Sequence, residues 1–123
     1  MKEELKISRD TIGRAVVLRL SGDLTTTSGD TLLRLYDWEK GLGDGASYLV
    51  LNLREVPYIN SSGIALLIRI ARAGRKGGYR VFACGLSPHY EKLFGMVGLT
   101  EFLMIYPDEY SVLQRLELER EER

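Results

Sequence analysis

The chain has 123 residues, which suits one domain with a sizeable core over residues 1–123 and is too short for two domains of typical size. Its 17 Lys and Arg residues balance 17 Asp and Glu residues, which argues against a general nucleic-acid-binding protein, because such a protein needs a basic surplus. Its N-terminus does not resemble a signal peptide and no apolar run could span a membrane, so we expect a cytoplasmic protein. The single cysteine, Cys84, excludes an internal disulfide and lies in an apolar run, where a buried thiol is the simplest interpretation.

The pattern of apolar residues predicts an α/β fold with the element order β-β-α-β-α-β-α-β-α. A weakly alternating stretch, a short connection at 10–13 and a stronger apolar run favour an N-terminal antiparallel hairpin. Helices that alternate with apolar strands after it imply a mixed, mostly parallel sheet with right-handed crossovers. The predicted strands are 3–8, 14–20, 47–53, 79–84 and 101–106, and the predicted helices are 29–40, 64–76, 88–97 and the segment from 107 onward, whose charge-rich end at 117–123 is expected to fray.

The same pattern predicts where the hydrophobic core lies. We expect strand 47–53 at the centre of the sheet, because it is apolar on both faces and contains no proline. Trp38 falls off the apolar face of its helix, and its spacing fits both the edge of the core and an exposed position. The side chains expected to face inward are Leu32, Leu35 and Tyr36 in the first helix, Ile64, Leu67, Ile68 and Ala71 in the second, Leu93, Met96 and Val97 in the third, and Val112, Leu113 and Leu116 in the last.

A small polar cluster, Asn60-Ser61-Ser62-Gly63, separates the central strand from the second helix. Asn and Ser side chains accept hydrogen bonds from the unpaired N–H groups of a first helical turn, so capping by Asn60 or Ser61 is the simplest interpretation of the spacing. The alternative is that one hydroxyl is a modification site, because the helix dipole and the free N–H groups favour a phosphate there. A second strip of the helix is mostly basic and consists of Ala65, Arg69, Arg72 and Lys76.

No arrangement of residues predicts catalysis, a metal site or a cofactor. The sequence has no Ser-His-Asp set, no Cys-His pair and no metal-binding cluster. The one histidine, His89, has no second ligand nearby and is expected to be solvated. The glycine-rich segment 41–45 follows a helix and precedes a strand, the reverse of a phosphate-binding loop, so we interpret it as a helix stop. We therefore expect a protein that is not an enzyme and has no cofactor.

Four segments, in order and spread over nearly the whole chain, share the pattern of one family. The segments are 16–24, 49–64, 77–88 and 93–99. They resemble the second strand and G-x-L turn, the D-S-S/A-G-L/I signature, the third crossover and the L-F-x-x-x-G-L helix end of the STAS domain. That family includes the bacterial anti-sigma factor antagonists and the cytoplasmic tails of sulphate transporters.

The resemblance implies a phosphorylation switch. In the antagonists, the first serine of the signature is phosphorylated by the anti-sigma factor, an ATP-dependent serine kinase related to histidine-kinase ATPase domains, and a metal-dependent serine phosphatase resets the switch. The unphosphorylated antagonist binds the anti-sigma factor and frees the sigma factor. By position, the implied phosphoacceptor is Ser61; Ser62 lies near Leu66 and Ala73, on a face that another helix could cover. The implied partner-binding or flanking residues are Thr25, Asn60, Ser62, Gly63, Ala65, Arg69 and Arg72.

Two positions depart from the family pattern. The acid that precedes the acceptor serine is Asn60 here, and the acid that follows the G-x-L turn is Thr25. Asn caps a helix about as well as Asp, so the fold should not suffer. However, two negative charges near the acceptor are missing, which puts kinase recognition and the identity of the partner in question.

The sequence leaves two functional hypotheses with support. A phosphorylation-switched interaction module predicts a partner-binding face around Ser61 and the helix that follows. A small-molecule-binding STAS module, for a nucleotide or a lipid, predicts a formed pocket near Thr25, Asn60 and Ser61. The same alternative includes a STAS module that regulates a partner outside a sigma-factor system. A third hypothesis, an enzyme, has no supporting residues.

Overall fold

The computed structural model of the chain describes residues 4–121 and contains one five-stranded sheet. The strands are β1 (Lys6–Ile12), β2 (Ala15–Ser21), β3 (Tyr48–Glu55), β4 (Arg80–Cys84) and β5 (Leu103–Tyr106). The α-helices are α1 (Thr26–Leu33), α2 (Ser61–Gly77), α3 (Pro88–Met96) and α4 (Glu109–Glu121), and short 3-10 helices lie at Trp38–Lys40 and Leu99–Glu101. The predicted α/β class and element order are confirmed.

The strands are arranged in chain order, with β3 in the middle. β1 and β2 are antiparallel, whereas β2, β3, β4 and β5 are parallel to one another. Leu51 and Leu53 on β3 are 0% and 1% exposed, which confirms the prediction that this strand is central. Because β2 to β5 run in one direction, the loops that follow them meet at one edge of the sheet. The helices that connect these strands, α1, α2 and α3, contribute to one core on the same face.

The two faces of the sheet are covered unequally. Helices α1, α2 and α3 pack with the larger core on one face, and α4 covers the other through Val112 and Leu116. The start of α4 is fixed to the sheet by Glu109, whose carboxylate accepts hydrogen bonds from Arg19 at 2.7 and 2.9 Å and from the Asn52 amide at 2.6 Å. The hydrogen bonds from Arg19 hold the pKa of Glu109 below its ordinary value, while partial burial opposes them.

Most side chains that were expected to face inward do so. Those that are buried are Leu32, Ile64, Leu67, Ala71, Val112 and Leu116; those that are half-buried are Tyr36, Ile68, Leu93 and Leu113; those that are exposed are Leu35, Met96 and Val97. The predicted fraying of 117–123 stays a prediction: α4 is described as far as Glu121, and residues 122 and 123 lie outside the described part of the chain.

The first helix is shorter than the predicted 29–40, because it ends at Leu33. Trp38 is buried, and its indole N–H donates to the Leu33 carbonyl oxygen at 2.9 Å, a group that a longer helix would use internally. The Trp38 ring also packs between Tyr36 and Tyr79, with centroid distances of 5.0 and 6.3 Å. Docking of Trp38 therefore turns the chain away from the helical path and leaves Leu35 41% exposed.

The third helix has the predicted position but not the predicted inward face. Its buried residues are Tyr90 and Phe94, four apart, whereas Met96 is 74% and Val97 45% exposed. The Tyr90 hydroxyl accepts a hydrogen bond from the Ile59 backbone N–H at 2.9 Å. That bond, made to a loop 31 residues away, fixes the rotation of α3 about its axis. The expectation that Met96 and Val97 face inward was therefore wrong.

Candidate functional site

The candidate site lies where the loops after β2 and β3 run side by side. The Leu24 N–H donates to the Tyr58 carbonyl oxygen at 2.9 Å, and the Asn60 N–H donates to the Leu24 carbonyl oxygen at 3.2 Å. Leu24 and Ile59 also form a single parallel bridge. These bonds hold Thr25, at the start of α1, next to Asn60, at the start of α2. Thr25 and Asn60, which lie 35 positions apart in the sequence, thus share one edge of the sheet.

Gly63 allows the start of α2 to lie against the Leu24 loop. Gly63 is buried, and a Cβ atom built there would fall under 3.0 Å from the Leu24 carbonyl oxygen and from the Ile59 side chain. The backbone oxygen is held by the Asn60 N–H and has no room to move aside. The glycine of the cluster is therefore required for close packing, since its backbone has ordinary helical geometry.

Asn60 caps α2, and it is one of the two caps, Asn60 or Ser61, that the sequence predicted. Its side-chain oxygen accepts a hydrogen bond from the Gly63 N–H at 2.9 Å, and its carbonyl accepts the first helical bond from Ile64. The helix thus starts at Ser61, three residues earlier than the apolar pattern indicated. The backbone N–H groups of Ser61 and Ser62 have no partner among the described residues, as expected for the first positions of a helix.

The Ser61 side chain is exposed, and its hydroxyl makes no hydrogen bond within residues 4–121. Ser62 is also exposed, although it lines a small depression of about 250 Å³ between α1 and α2 together with Leu66. The expected neighbour of Ser62 is thus present, but it leaves the hydroxyl accessible. The Ser61 oxygen is therefore open to solvent, beside two unpaired N–H groups at the positive end of the helix dipole.

Thr25 is half-buried, and the hydroxyl groups around it are used within the loop. Its backbone N–H donates to the Ser28 hydroxyl at 2.9 Å, and that hydroxyl donates to the Asp23 carbonyl oxygen at 2.6 Å. The two side-chain oxygens of Thr25 and Ser28 lie 3.2 Å apart. The hydroxyl groups at the start of α1 are thus linked in one network.

The predicted second strip of α2 is exposed as expected: Ala65, Arg69, Arg72 and Lys76 all lie on the surface. A groove of about 630 Å³ runs between this strip and residues 33–39. Arg69 and Arg72 line the groove and have no ion pair with a carboxylate among the described residues. The structure therefore brings the Thr25 loop, the Ser61 hydroxyl and a cationic groove onto one side of the molecule.

Tyr90 is the residue of this region that sequence reasoning missed. Its hydroxyl holds the Ile59 N–H, which lies in the loop directly before Asn60. The spacing of Tyr90 and Phe94 is that of two residues on one helical face, and together with the Ser87 cap it could have indicated this inward side.

The remaining chemistry-bearing side chains lie away from this site. Cys84 is buried, and burial, with smaller contributions from nearby carboxylates, raises the pKa of its thiol to about 12. His89 is exposed and meets the Tyr90 ring edge-on at 4.9 Å. Within residues 4–121, no three His, Cys, Asp or Glu side chains are grouped as a metal site would require. The described helices also include none that combines the length and apolarity needed to cross a bilayer.

Comparison with known proteins identifies the family. The STAS domain model matches residues 6–112. The anti-sigma F factor antagonist of Paenibacillus polymyxa is 29% identical over 104 residues, which cover 84% of this chain and 87% of that protein. The structure of unphosphorylated SpoIIAA, an anti-sigma factor antagonist, has a TM-score of 0.69 at 20% identity and covers 91% of this chain and 98% of its own. The phosphorylated form of the Bacillus protein SpoIIAA has a TM-score of 0.68 at 22% identity, with coverages of 90% and 99%. Since the family model spans most of the chain and the fold agrees over nearly its full length, this protein belongs to the STAS domain family.

Proposed function

We propose that this protein is an anti-sigma factor antagonist whose binding to an anti-sigma factor serine kinase is switched by phosphorylation of Ser61. The observation that carries the proposal is the exposed Ser61 hydroxyl at the first position of α2, beside two unpaired backbone N–H groups. The name of the Paenibacillus polymyxa relative supports this function. SpoIIAA, which shares the fold, is described in a phosphorylated form, so such a fold tolerates a phosphate.

In this mechanism the unmodified protein binds the anti-sigma factor and thereby frees a sigma factor. The kinase activity of the anti-sigma factor then transfers the γ-phosphoryl group of ATP to the Ser61 oxygen. The bond between the γ-phosphorus and the bridging oxygen breaks, ADP leaves, and the hydroxyl proton is released to solvent. A metal-dependent serine phosphatase hydrolyses the phosphate ester and restores the binding form. The protein itself supplies the acceptor and the docking surface, in keeping with a cytoplasmic regulator that does no catalysis of its own.

The phosphate acts at the interface rather than by unfolding. It adds about −1.5 to −2 charges near neutral pH. That charge meets the free N–H groups and the positive dipole end of α2, and Asn60 provides no neighbouring carboxylate to repel it. The folded state therefore accepts the phosphate, with a gain of up to about 1 kcal/mol. Loss of partner binding must then come from the bulk and charge of the phosphate inside the partner footprint.

The first test incubates the protein with each anti-sigma factor kinase of its source organism and ATP, and locates phosphate by mass spectrometry. We expect one phosphate on Ser61 and none in a Ser61→Ala variant. The matched control is Ser62→Ala, which removes the adjacent exposed hydroxyl and should be labelled like the unmodified sequence. Undiminished labelling of Ser61→Ala, or loss of labelling only in Ser62→Ala, would refute the assignment of the acceptor.

The second test compares melting temperature and kinase affinity before and after phosphorylation. We expect the melting temperature to stay close to that of the unmodified protein while the affinity falls. A drop of many degrees together with lost binding would indicate an unfolding switch. Unchanged affinity would remove Ser61 from the partner footprint.

A small ligand is the second candidate function, and the depression nearest the predicted ligand site favours it less. The depression beside Thr25 measures about 250 Å³ and includes neither Asn60 nor Ser61 in its lining. Small-molecule sites commonly have volumes of about 300 to 1,000 Å³ and enclose most of the ligand. Calorimetric titration with GTP, ATP and a fatty acid tests this candidate: saturable binding that a Thr25→Ala variant loses would favour it over the partner switch.

A further inference from the structure

The exposed side of α2 carries charge of one sign. The helix contains Arg69, Arg72, Arg75 and Lys76 and no Asp or Glu, although the chain as a whole has equal numbers of acidic and basic residues. Residues 61, 65 and 69 are four apart and therefore follow one another along one side of the helix. The phosphoacceptor Ser61 thus opens a strip that becomes cationic at Arg69, about 12 Å further along the helix axis.

The groove beside this strip retains the positive charge. Its acidic side chains already have basic partners, because Asp37 pairs with Lys40 at 3.7 Å and Glu39 pairs with Lys76 at 3.7 Å. Arg72 stacks on the Phe102 ring, with its guanidinium carbon 5.7 Å from the ring centroid, and Arg69 has no recorded partner among residues 4–121. A carboxylate that enters the groove would therefore find two guanidinium groups that are not yet neutralised.

The rest of the lining is suited to a protein segment. Between the charged walls lie Leu33, Ala65, Ile68 and Ala73, which offer an apolar floor for a side chain. A nucleic acid or an anionic bilayer would present a continuous array of phosphates, and the opposite wall of the groove, residues 33–39, contributes no basic side chain to the lining that could bind such an array. A protein segment can place carboxylates opposite Arg69 and Arg72 and an apolar group between them.

We propose that the groove between α2 and residues 33–39 binds an acidic segment of the anti-sigma factor kinase, with carboxylates of that segment paired to Arg69 and Arg72. This inference rests on the proposed function and specifies the chemistry of the partner surface. It also accounts for the switch in electrostatic terms. An acidic segment that extends along the strip from Arg69 to the start of α2 also meets a phosphate on Ser61 and is repelled there. Arg69 lies further from that phosphate than the screening length of about 8 Å at physiological salt and so does not neutralise it.

Charge reversal tests the pairing. The affinity of the unphosphorylated protein for the anti-sigma factor kinases is measured by titration calorimetry for Arg69→Glu and for the double variant Arg69→Glu/Arg72→Glu. We expect Kd to rise at least about tenfold, because like charges are placed opposite one another. The single variant leaves the contact between Arg72 and Phe102 intact, so a folding defect in the double variant does not decide the result.

The matched control is Lys6→Glu/Lys92→Glu, at two exposed positions on β1 and α3. It changes the net charge by as much as the double arginine variant does. Its Kd should stay within about twofold of the unmodified sequence, since neither residue lines the groove. An equal loss of affinity in this control and in the double variant Arg69→Glu/Arg72→Glu would show that only net charge matters and would overturn the inference.

Ionic strength supplies an independent readout. The ratio of Kd for the phosphorylated and unmodified forms should fall as salt is raised from about 0.05 M to about 0.5 M, because screening weakens the repulsion between phosphate and carboxylates. A ratio that stays constant over this range would indicate purely steric exclusion and overturn the electrostatic account.

The remaining outcomes separate this inference from the proposed function. Kinase binding by the unmodified sequence with unchanged affinity in both arginine variants would overturn the acidic-segment inference alone. Failure of the unmodified sequence to bind any of the kinases would overturn the proposed function and the inference with it. If the protein bound phosphatidylserine vesicles or duplex DNA and Arg69→Glu abolished that binding, the groove would bind a lipid or a nucleic acid and not an acidic protein segment.

Discussion

The N-termini of α1 and α2 lie side by side at one edge of the sheet, and both are rich in hydroxyl groups, but they use them differently. At α1, the Ser28 hydroxyl accepts from the Thr25 N–H and donates to the Asp23 carbonyl oxygen, so it is engaged on both sides. At α2, the side chain of Asn60 caps the helix, and Ser61 remains exposed without a hydrogen bond in the described chain.

The position of a hydroxyl within the first turn explains this difference. Ser28 is the third residue of α1, the position from which a side chain can reach back to the residue that caps the helix. Ser61 is the first residue of α2, and its capping role is already taken by Asn60. A serine at a helix start is thus structural or available depending on its place in the turn, which is why residue type alone left both interpretations open.

The largest expected effect comes from the contact that holds the two helix starts together. A Gly63→Ala substitution would force a Cβ atom against the Leu24 carbonyl oxygen. Because that backbone is fixed by hydrogen bonds, we expect the free energy of unfolding to fall by about 2 to 3 kcal/mol, measured by urea denaturation. Phosphorylation of the remaining folded protein should also slow, since the Ser61 turn is displaced.

Gly95→Ala on α3 is the matched control for this experiment. A Cβ atom there meets nothing within 4 Å, and the backbone is helical. The control should stabilise the protein by about 0.5 to 1 kcal/mol, because alanine favours a helix over glycine. Equal destabilisation by both substitutions would mean that the close approach of α2 to the Leu24 loop does not exist in solution.

A smaller effect distinguishes the two sets of hydroxyls. Ser28→Ala removes two hydrogen bonds at the start of α1 and should lower the free energy of unfolding by about 1 to 2 kcal/mol. Ser61→Ala removes an exposed hydroxyl and should change it by less than about 0.5 kcal/mol, while it abolishes phosphorylation. Denaturation of the two variants side by side is the measurement. If Ser61→Ala proved the more destabilising of the two, the contrast drawn between the helix starts would be wrong.

The start of α4 carries two carboxyl groups, those of Asp108 and Glu109, where α1 and α2 carry hydroxyl groups. Asp108 accepts hydrogen bonds from the Ser111 N–H and hydroxyl, both at 2.8 Å, which lower the pKa of its carboxyl. Glu109 has its pKa lowered by the hydrogen bonds from Arg19. A pKa that is lower in the folded state gives stability that is complete above the unfolded pKa, about 4, and is lost as the pH falls through the folded value.

We therefore expect the free energy of unfolding to decline below about pH 4, and this is the smallest of the expected effects. Part of the decline should be absent in a Glu109→Gln variant. Urea denaturation over about four pH units, from about pH 3 to about pH 7, is the measurement. Glu91→Gln on α3 removes an exposed carboxylate of equal charge and serves as the control. A Glu109→Gln curve parallel to the unmodified one would show that the bond to Arg19 contributes no pH dependence.

The sequence by itself determined the order of the elements, the central position of β3 and a polar cap at Asn60 or Ser61. Each of these depends on residues close together in the chain: apolar runs of strand length, helical spacing, and polar side chains that reach N–H groups of the next turn. It also identified the family signature around Ser61, because that signature is a continuous segment.

Only the tertiary structure decided the end of α1, the rotation of α3 and the geometry of the site. The bond from Trp38 to Leu33 ends α1 only because the Trp38 ring is drawn into the core beside Tyr79. Likewise, α3 takes its orientation from a bond between Tyr90 and Ile59, across 31 residues. The glycine requirement at position 63 exists only because the Leu24 loop approaches the helix. Such contacts join segments that are distant in the chain, and local periodicity carries no information about which distant segment will be the neighbour.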